Sequence, residues 1–277
     1  MAIQLATQYL PFVDEMFTTE SKKSLLTNND FDWTGAHTVV VYKISTADMG
    51  DYDRSGTSEN PSRYGVVQSL DATTQSFTLS RDRSFTFAID KLDTDETKNN
   101  LQPASALARQ IREVVIPEVD KWVYEQMCIG AGTTPEPVAL TNANIYTEII
   151  NASLALDDAE VPETGRSIVI TPQVFQMMKQ SPDIIMETDI GNDLRLRGVI
   201  AILDGAFVVR VPANRLPEDF GFMMAHPVAT VAPVKLEEYR IHQDPPGISG
   251  GLVEGRINYD AFVLENKQKA IYYQKKA

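Results

Sequence analysis

The segment from Asp82 to Met127 constrains the fold of this chain most, because it places a strand directly before a long helix. In residues 84–90, the apolar residues Phe85, Phe87 and Ile89 alternate with smaller or polar ones. Alternation with a period of two predicts a strand with one buried face. The segment therefore predicts a stiff frame of sheet and helix, and nothing in it resembles a catalytic pocket.

The helix that follows is predicted to be long and bent. An acidic turn at 93–97 comes first, and the helix begins near Pro103, since proline lacks the N–H that a first helical position leaves unbonded. Pro117 interrupts the helix by removing one backbone hydrogen bond, so we expect a kink there. The apolar face at helical spacing comprises Leu107, Ile111, Val114, Val115, Val119, Trp122 and Val123.

Length and composition allow a large core. The chain has 277 residues, 43% of them hydrophobic, which permits one or two domains. No apolar run is long enough to cross a bilayer, and the first residues lack the pattern of a secretory signal, so we expect synthesis inside the cell. The single cysteine, Cys128, excludes an intrachain disulfide and any multi-cysteine metal site. Its apolar neighbours favour a buried structural thiol.

The charge of the chain argues against a protein that grips nucleic acid. The net charge is -13 and the isoelectric point is near 4.7, whereas phosphate neutralisation needs basic surfaces. Lysines cluster only near the end of the chain, where a solvated tail is the simpler interpretation. The excess negative charge instead suits a protein that must stay soluble at high concentration.

The first third of the chain contains an arm and a long hairpin. Residues 1–35 carry only a short amphipathic patch (Leu10, Val13, Met16, Phe17), so we expect an arm that lies on another surface. Residues 38–44 form a strand, residues 45–64 are polar without periodicity, and strand character returns from Phe77 to Ile89. Such a long loop between two strands suggests a projecting hairpin with an external partner.

The remainder of the chain predicts a mixed α/β region with returning strands. Breaker residues at 130–137 mark a boundary, and a helix buries Ile145, Ile149, Ala152 and Leu156. Residues 168–170 form a short buried strand, and Thr171 caps the helix that follows it. Asp204-Gly205 predicts a hairpin turn, more strands are expected around 222 and 228–234, and strands at 257–264 and 270–273 close the chain.

No catalytic or cofactor motif is found in the sequence. The histidines His37, His226 and His242 are far apart and lack metal-ligand spacing with other residues. There is no nucleophile motif and no phosphate-binding loop, and the glycine-rich residues 247–251 are interpreted as a flexible turn. We therefore predict no cofactor and no enzymatic activity.

Two acidic clusters were considered as metal sites. Asp51, Asp53, Ser55 and Gly56 match the opening of a calcium loop, but Ser62 stands where the bidentate glutamate should be. A solvated acidic loop is the favoured interpretation. The second cluster, Asp90, Asp93, Asp95 and Glu96, is better explained as negative charge ahead of a helix N-terminus.

The order of elements resembles the major capsid protein of tailed double-stranded DNA bacteriophages with the HK97 fold. Arm, hairpin, long helix, α/β subdomain and returning strands cover nearly the whole chain. The local likeness lies in residues 82–87 with 93–97, 117–122, 255–264 and 269–273. The resemblance implies an α+β fold.

The same resemblance implies a division of the chain into functional regions. Residues 1–35 would be the N-terminal arm, 36–92 the E-loop region, and 136–232 the axial domain. Residues 93–135 and 233–277 would together form the peripheral domain, which includes the long helix.

The resemblance also implies function and partners. Copies of the chain would form pentamers and hexamers of an icosahedral shell, the virion capsid, made in the bacterial host cytoplasm. The shell would enclose DNA without sequence-specific binding, and we expect a separate scaffolding protein, a portal and decoration proteins as partners, but no membrane partner. Because residues 45–64 contain no lysine, a lysine–asparagine cross-link through this loop is doubtful.

Non-covalent contacts between subunits are therefore our hypothesis for this loop. The loop residues assigned to such contacts are Asp51, Asp53, Arg54, Glu59 and Arg63, and Arg109 and Arg112 of the predicted long helix are assigned to contacts between subunits as well. Two alternatives for the whole protein stay open at this point. One is the shell of an encapsulin-type compartment, and the other is a soluble α/β hydrolase or calcium-dependent binding module.

Overall fold

The computed structural model describes residues 21–28, 38–44, 46–56, 62–66, 69, 72–96, 102–181, 184 and 202–277. These residues form a mixed α+β protein, as the sequence predicts. The chain divides into two compact units, a smaller one of residues 35–79 and a larger one of residues 1–34 and 80–277. The apolar patch predicted at residues 10–17 lies outside the described residues.

The helices and strands have the following bounds. The strands are β1 (Thr38–Ile44), β2 (Ala72–Thr78), β3 (Arg81–Asp90), β4 (Ser167–Ile170), β5 (Ile202–Leu203), β6 (Ala206–Arg210), β7 (Phe220–Ala225), β8 (Thr230–Val231), β9 (Val234–Gln243), β10 (Gly250–Tyr259), β11 (Phe262–Val263) and β12 (Ile271–Lys275). The helices are α1 (Lys91–Glu96), α2 (Pro103–Gln110), α3 (Ile116–Ile129), α4 (Ile145–Asp158) and α5 (Pro172–Gln180). Short 3-10 turns cover Lys23–Leu25, Ala213–Arg215, Pro227–Ala229 and Glu265–Ala270.

The smaller unit is built on one antiparallel strand pair. β1 and β2 pair from Thr38 opposite Thr78 to Ile44 opposite Ala72, and the two threonine hydroxyls lie 2.9 Å apart. The β-branched run of β1 favours an extended chain, as predicted. The described residues between the two strands, 46–56, 62–66 and 69, contain no helix or strand, in agreement with the polar loop predicted at 45–64.

A five-stranded sheet organises the core of the larger unit. Its order is β12-β7-β4-β6-β5, with β4 and β6 parallel and the other neighbours antiparallel. Alternate residues of each strand face opposite sides, so the sheet separates two hydrophobic clusters. One cluster contains the buried face of α4, where Ile145, Ile149, Ala152 and Leu156 are fully buried as predicted.

A three-stranded antiparallel sheet forms the second layer, in the order β3-β10-β9. Phe85 of β3 and Tyr239 of β9 both lie opposite Gly255 of β10. Their ring centroids are 6.1 Å apart, in the space that a side chain at Gly255 would fill. The glycine thus allows the two aromatic rings to meet across the central strand.

The long helix runs from 103 to 129 and is called the spine helix below. It begins at Pro103, as predicted, and consists of α2, a π-helical turn at Ile111–Val115 and α3. In the π turn the N–H of Ile116 donates to the carbonyl of Ile111, five residues earlier. This wider turn precedes Pro117, which has no N–H to donate and whose ring crowds the preceding turn.

The π turn also corrects one expectation about the apolar face. Val114 was predicted to lie on that face, but its side chain is 46% exposed, whereas Val115 is 8% exposed. An extra residue in the turn changes which residues face the core. The regular helical spacing used to predict the apolar face does not account for this extra residue.

The acidic turn predicted at 93–97 is also corrected. Residues 91–96 form the short helix α1 directly after β3, so Asp93, Asp95 and Glu96 lie within a helix. Asp90 precedes it, and its carboxylate accepts a hydrogen bond from the N–H of Leu92 at 2.8 Å. Asp90 thus caps the N-terminus of α1, whereas the sequence analysis placed the charge of this cluster ahead of the later helix.

A predicted helix cap and a predicted hairpin turn are confirmed. The Thr171 hydroxyl accepts a hydrogen bond from the N–H of Val174 at 3.2 Å and caps α5, which starts with Pro172. Asp204 and Gly205 join β5 and β6 with φ angles of 49° and 73°, which fits a type I′ hairpin.

The described end of the N-terminal arm packs on the larger unit of its own chain. Leu26 is fully buried in the main core, and the N–H of Asn28 donates to the carbonyl of Thr230 at 2.9 Å. Upstream, the Ser21 hydroxyl donates to Asp120 on α3 at 2.6 Å. For residues 21–28 the apolar complement therefore comes from the same chain.

Candidate interaction surface

The loop of the smaller unit holds four of the seven residues predicted to contact other subunits. Asp51, Asp53 and Arg54 lie in 46–56, and Arg63 lies in 62–66. Glu59 lies outside the described residues. Arg109 and Arg112 belong to the spine helix in the larger unit.

Asp53 closes this loop on itself. Its N–H donates to the carbonyl of Arg63 at 2.9 Å. Its carboxylate oxygen Oδ1 accepts hydrogen bonds from the Ser55 hydroxyl at 2.9 Å and from the N–H of Gly56 at 2.7 Å. Gly56 has a φ of 66°, a conformation that glycine adopts without strain. The residues that resemble the opening of a calcium loop thus form a hydrogen-bonded turn.

A metal site was tested against the same geometry. Among the residues that the structure describes, no three His, Cys, Asp or Glu side chains come together as metal ligands. One oxygen of Asp53 is already used by two protein donors. The described part of the loop therefore offers no argument for a calcium site.

The two arginines of the loop are exposed. The guanidinium of Arg63 lies above Gly56, where a Cβ would be 3.4 Å from Nη2. Arg54 and Asp51 both face solvent. The loop thus presents charged groups on a backbone that Asp53 and Arg63 hold in shape.

Large apolar side chains of the loop are also exposed, and the sequence analysis overlooked them. Met49 is 100% exposed, Tyr64 84%, Val66 74% and Tyr52 51%. The rings of Tyr52 and Tyr64 meet edge to face with centroids 5.0 Å apart. Three of these residues, Met49, Tyr52 and Tyr64, lie within residues 45–64, which the sequence pattern describes as polar, and large apolar residues there are a signal of a contact surface. The surface formed by 46–56 and 62–66 is called the loop surface below.

One of the two spine-helix arginines pairs with a carboxylate of the same helix. Arg109 Nε lies 3.1 Å from both carboxylate oxygens of Glu113, one helical turn later. This is an exposed i,i+4 pair, which contributes only a few tenths of a kcal/mol. Arg112 is half-buried in the π turn. Both arginines belong to the larger unit, whereas the loop surface belongs to the smaller one.

Other reactive groups are engaged in structural contacts. Cys128 is buried, and burial raises the pKa of its thiol to about 12, as a structural thiol requires. His226 Nδ1 accepts from the N–H of Val228 at 3.2 Å, and His242 lies 3.2 Å from Glu254 on the neighbouring strand. His37 lies outside the described residues. In the part of the chain that the structure covers, no helix has the length and apolar character needed to cross a membrane.

Sequence comparison finds no relative. No family profile matches the chain, and no curated protein matches it either.

Structure comparison finds phage structures that match nearly the whole chain. The chain is similar to a structure from Mycobacterium phage Che8, with 18% identity, a TM-score of 0.75, and coverage of 97% of this chain and 98% of that one. It is also similar to the capsid structure of cyanophage P-SCSP1u, with 14% identity, a TM-score of 0.79, and coverage of 98% and 93%. The mature capsid of bacteriophage PhiM1 matches with 12% identity, a TM-score of 0.77, and coverage of 98% and 92%. The chain therefore has the HK97-like α+β fold of these phage capsid structures.

Proposed function

We propose that this chain is a major capsid protein, copies of which assemble into the pentamers and hexamers of an icosahedral shell around double-stranded DNA. The observation that carries the proposal is the fold match over 97% of this chain and 98% of the Che8 chain. Such mutual coverage leaves little of either chain outside the shared fold. The role is structural, and no enzymatic step is assigned.

The charge of the chain supports enclosure of DNA without tight binding. At a net charge of -13, the protein as a whole repels a polyanion. DNA would be held by confinement within the shell. A virion location, synthesis in the host cytoplasm, and a scaffolding protein, a portal and decoration proteins as partners belong to the same proposal.

The regional assignments are part of the proposal too. Residues 1–35 serve as the arm, 36–92 as the E-loop region, 136–232 as the axial domain, and 93–135 with 233–277 as the peripheral domain. The compact unit at 35–79 supports a separate role for the hairpin.

Contacts between subunits are assigned to the loop surface. Its exposed charges are Asp51, Arg54 and Arg63, and its exposed apolar side chains are led by Met49 and Tyr64. A two-stranded sheet alone is marginally stable in water, so cover from another copy would stabilise it. Arg109 and Arg112 remain further candidates on the spine helix.

Electron microscopy of the purified full-length chain, with and without a co-expressed scaffolding protein, tests the proposal. We expect closed shells of uniform diameter and fast-sedimenting particles. A protein that stays monomeric, or forms only small oligomers under both conditions, contradicts it. Particles that contain a packaged enzyme in place of DNA would identify the encapsulin-type alternative.

A further inference from the structure

The carboxylate of Asp260 accepts four hydrogen bonds in the turn between β10 and β11. Oδ1 accepts from the indole Nε1–H of Trp122 at 2.8 Å and from the N–H of Ala261 at 2.9 Å. Oδ2 accepts from the N–H of Ser80 at 2.7 Å and from its hydroxyl at 2.8 Å. The residue is only 4% exposed. Hydrogen bonds to a carboxylate are roughly twice as strong as neutral ones, so this set is a strong junction.

Three segments that are distant in sequence meet at this carboxylate. Trp122 belongs to the spine helix, Asp260 to the β10–β11 turn, and Ser80 to the connection between β2 and β3. Arg81, the first residue of β3, places its guanidinium 3.6 Å from the centroid of the Trp122 ring. Ser80 thus binds the same carboxylate as the Trp122 indole, and Arg81 lies against the indole ring itself.

Ser80 has a special place in the chain. Leu79 is the last residue of the smaller unit, and Ser80 is the first residue after it in the larger unit. Asp260, Trp122 and Arg81 all belong to the larger unit. The junction therefore fixes the point at which the chain re-enters the larger unit.

We propose that Asp260 is a positioning residue that anchors the residue 79–80 boundary. With Ser80 bound to Asp260, the first residue after the smaller unit is held within the larger unit, directly before the start of β3. Assembly of identical subunits needs each copy to present this unit from the same starting point. That consequence rests on the proposed function, whereas the anchor itself does not.

The chemistry requires a carboxylate at this position. An amide has one acceptor oxygen, and its NH2 group can only donate. In Asp260→Asn, the NH2 would face either the Ser80 donors or the Trp122 and Ala261 donors. If the NH2 faces Trp122 and Ala261, two of the four hydrogen bonds are lost. If it faces Ser80, the bond from the Ser80 N–H is lost, whereas the Ser80 hydroxyl can turn to accept from the NH2. The shape of the side chain is kept in both cases, so this variant isolates the anchor.

The test measures how well the smaller unit is positioned. Spin labels are placed at Met49→Cys, which is fully exposed, and at Asp158→Cys, which is exposed at the end of α4. Cys128 is buried with a raised pKa and resists labelling. Labelled chains are diluted about tenfold into unlabelled full-length chain, so that distances within one chain dominate whether or not shells form. Pulsed electron spin resonance gives the width of the distance distribution.

Asp260→Asn and Trp122→Phe are expected to widen the distribution at least twofold. Glu118→Gln is the matched control, because Glu118 lies one turn away on the same helix and binds Arg83 of β3 at 2.7 Å without contact to Ser80. The control should keep the width of the unsubstituted chain. If Asp260→Asn does not fold, the test rests on two other variants. These are Trp122→Phe and Ser80→Ala, which removes only the hydrogen bond from the Ser80 hydroxyl.

Two results would contradict the proposal that Asp260 anchors the residue 79–80 boundary. One is an unchanged width in Asp260→Asn and Trp122→Phe. The other is equal widening in all variants, including Glu118→Gln, which would mean general loosening. Microscopy of the unsubstituted chain separates this outcome from failure of the proposed function, because absent shells contradict the function and leave the width measurement valid.

Discussion

A buried ion pair ties the spine helix to the 3-10 turn after β6. Asp120 Oδ2 accepts from Arg215 Nη1 at 2.8 Å, and the two side chains are 1% and 4% exposed. Arg215→Met would leave the Asp120 charge buried without its counter-ion. We expect the free energy of unfolding to fall by about 3–5 kcal/mol, as measured by denaturant titration with tryptophan fluorescence.

The exposed pair of Arg83 and Glu118 is the control for that prediction. Its atoms are as close, at 2.7 Å, but the side chains are 57% and 40% exposed. Water and salt screen such a pair, so Arg83→Met should cost about 1 kcal/mol or less. Equal losses in the two variants would show that burial does not decide the strength of these pairs.

The buried thiol of Cys128 should make the free energy of unfolding depend on pH in the alkaline range. Burial raises the pKa of the thiol from 9.0 to about 12. In the unfolded chain the thiol loses its proton near pH 9, whereas in the folded protein it keeps the proton. The contribution of this thiol to the free energy of unfolding is therefore full below pH 9 and is lost as the pH rises toward 12. Cys128→Ala should therefore flatten the decline by up to about 1.4 kcal/mol per pH unit in this window.

Urea titrations at several pH values between 8 and 11 measure this slope. The decline should not vanish in the variant, because burial also raises the pKa of Tyr259 to about 12. Identical slopes with and without Cys128 would mean that the thiol is more accessible to water than its position indicates.

At the scale of residues, the sequence predicts which side chains are buried better than it predicts which side chains bind one another. The apolar neighbours of Cys128 were sufficient to predict a buried thiol. Asp120 and Asp260 bind residues that are 95 and 138 positions away, and no local pattern carries that information. In the loop surface the charges were predicted, but the closure by Asp53 and the exposure of Tyr64 depend on the folded backbone.

Among the elements, the central strand β10 has a glycine, Gly255, where two aromatic rings leave no room for a side chain. A Cβ at Gly255 would lie 2.4 Å from the Phe85 ring and 2.9 Å from the Tyr239 ring. Gly255→Ala must therefore displace an aromatic ring and should lower the free energy of unfolding by about 1–3 kcal/mol. Thermal or urea unfolding measures the loss.

Gly50→Ala is the matched control for this substitution. No atom lies within 4 Å of a Cβ at Gly50, so the change should be close to neutral. Adding Phe85→Leu to Gly255→Ala should recover part of the stability by making room. If the double variant loses as much as the sum of two independent changes, ring crowding is not the cause.

Predictions of elements succeeded where the signals were local. The start of the spine helix at Pro103, the cap at Thr171 and the turn at Asp204-Gly205 each depend on residues a few positions apart. The helix α1 was missed because six residues carry little periodicity. The π turn was missed because it changes the period of the pattern itself, and Val114 was placed on the wrong face as a result.

For the whole molecule, the order of elements carried more information than any motif. Sequence comparison finds no relative, yet the succession of arm, hairpin, spine helix and returning strands pointed to the fold that the structure comparison shows. A fold of this kind is specified by hydrophobic pattern and connectivity, which tolerate change in nearly every residue. Contacts with other copies depend on particular surface side chains, and these leave no comparable pattern.

Charge on the loop surface gives the last prediction, which concerns assembled shells. Arg54 and Arg63 are exposed in this loop. If they pair with acidic groups of a neighbouring copy, Arg54→Glu with Arg63→Glu should lower the yield of shells and the denaturant concentration at which shells break. One exposed pair contributes only about 0–1 kcal/mol, but every subunit of a shell repeats it.

The control for this variant must carry the same added negative charge elsewhere. Arg240→Glu with Lys276→Glu, both exposed in the larger unit, provides it. Shells held by ion pairs should also weaken in about 1 M salt, where screening reaches about 3 Å, whereas apolar contacts through Tyr64 and Met49 should not. If the loop variant assembles as well as the control and salt has no effect, Arg54 and Arg63 do not contribute to the proposed contact between subunits. Tyr64→Ser with Met49→Ser then becomes the variant expected to break the shell, because the contact must rest on the apolar side chains.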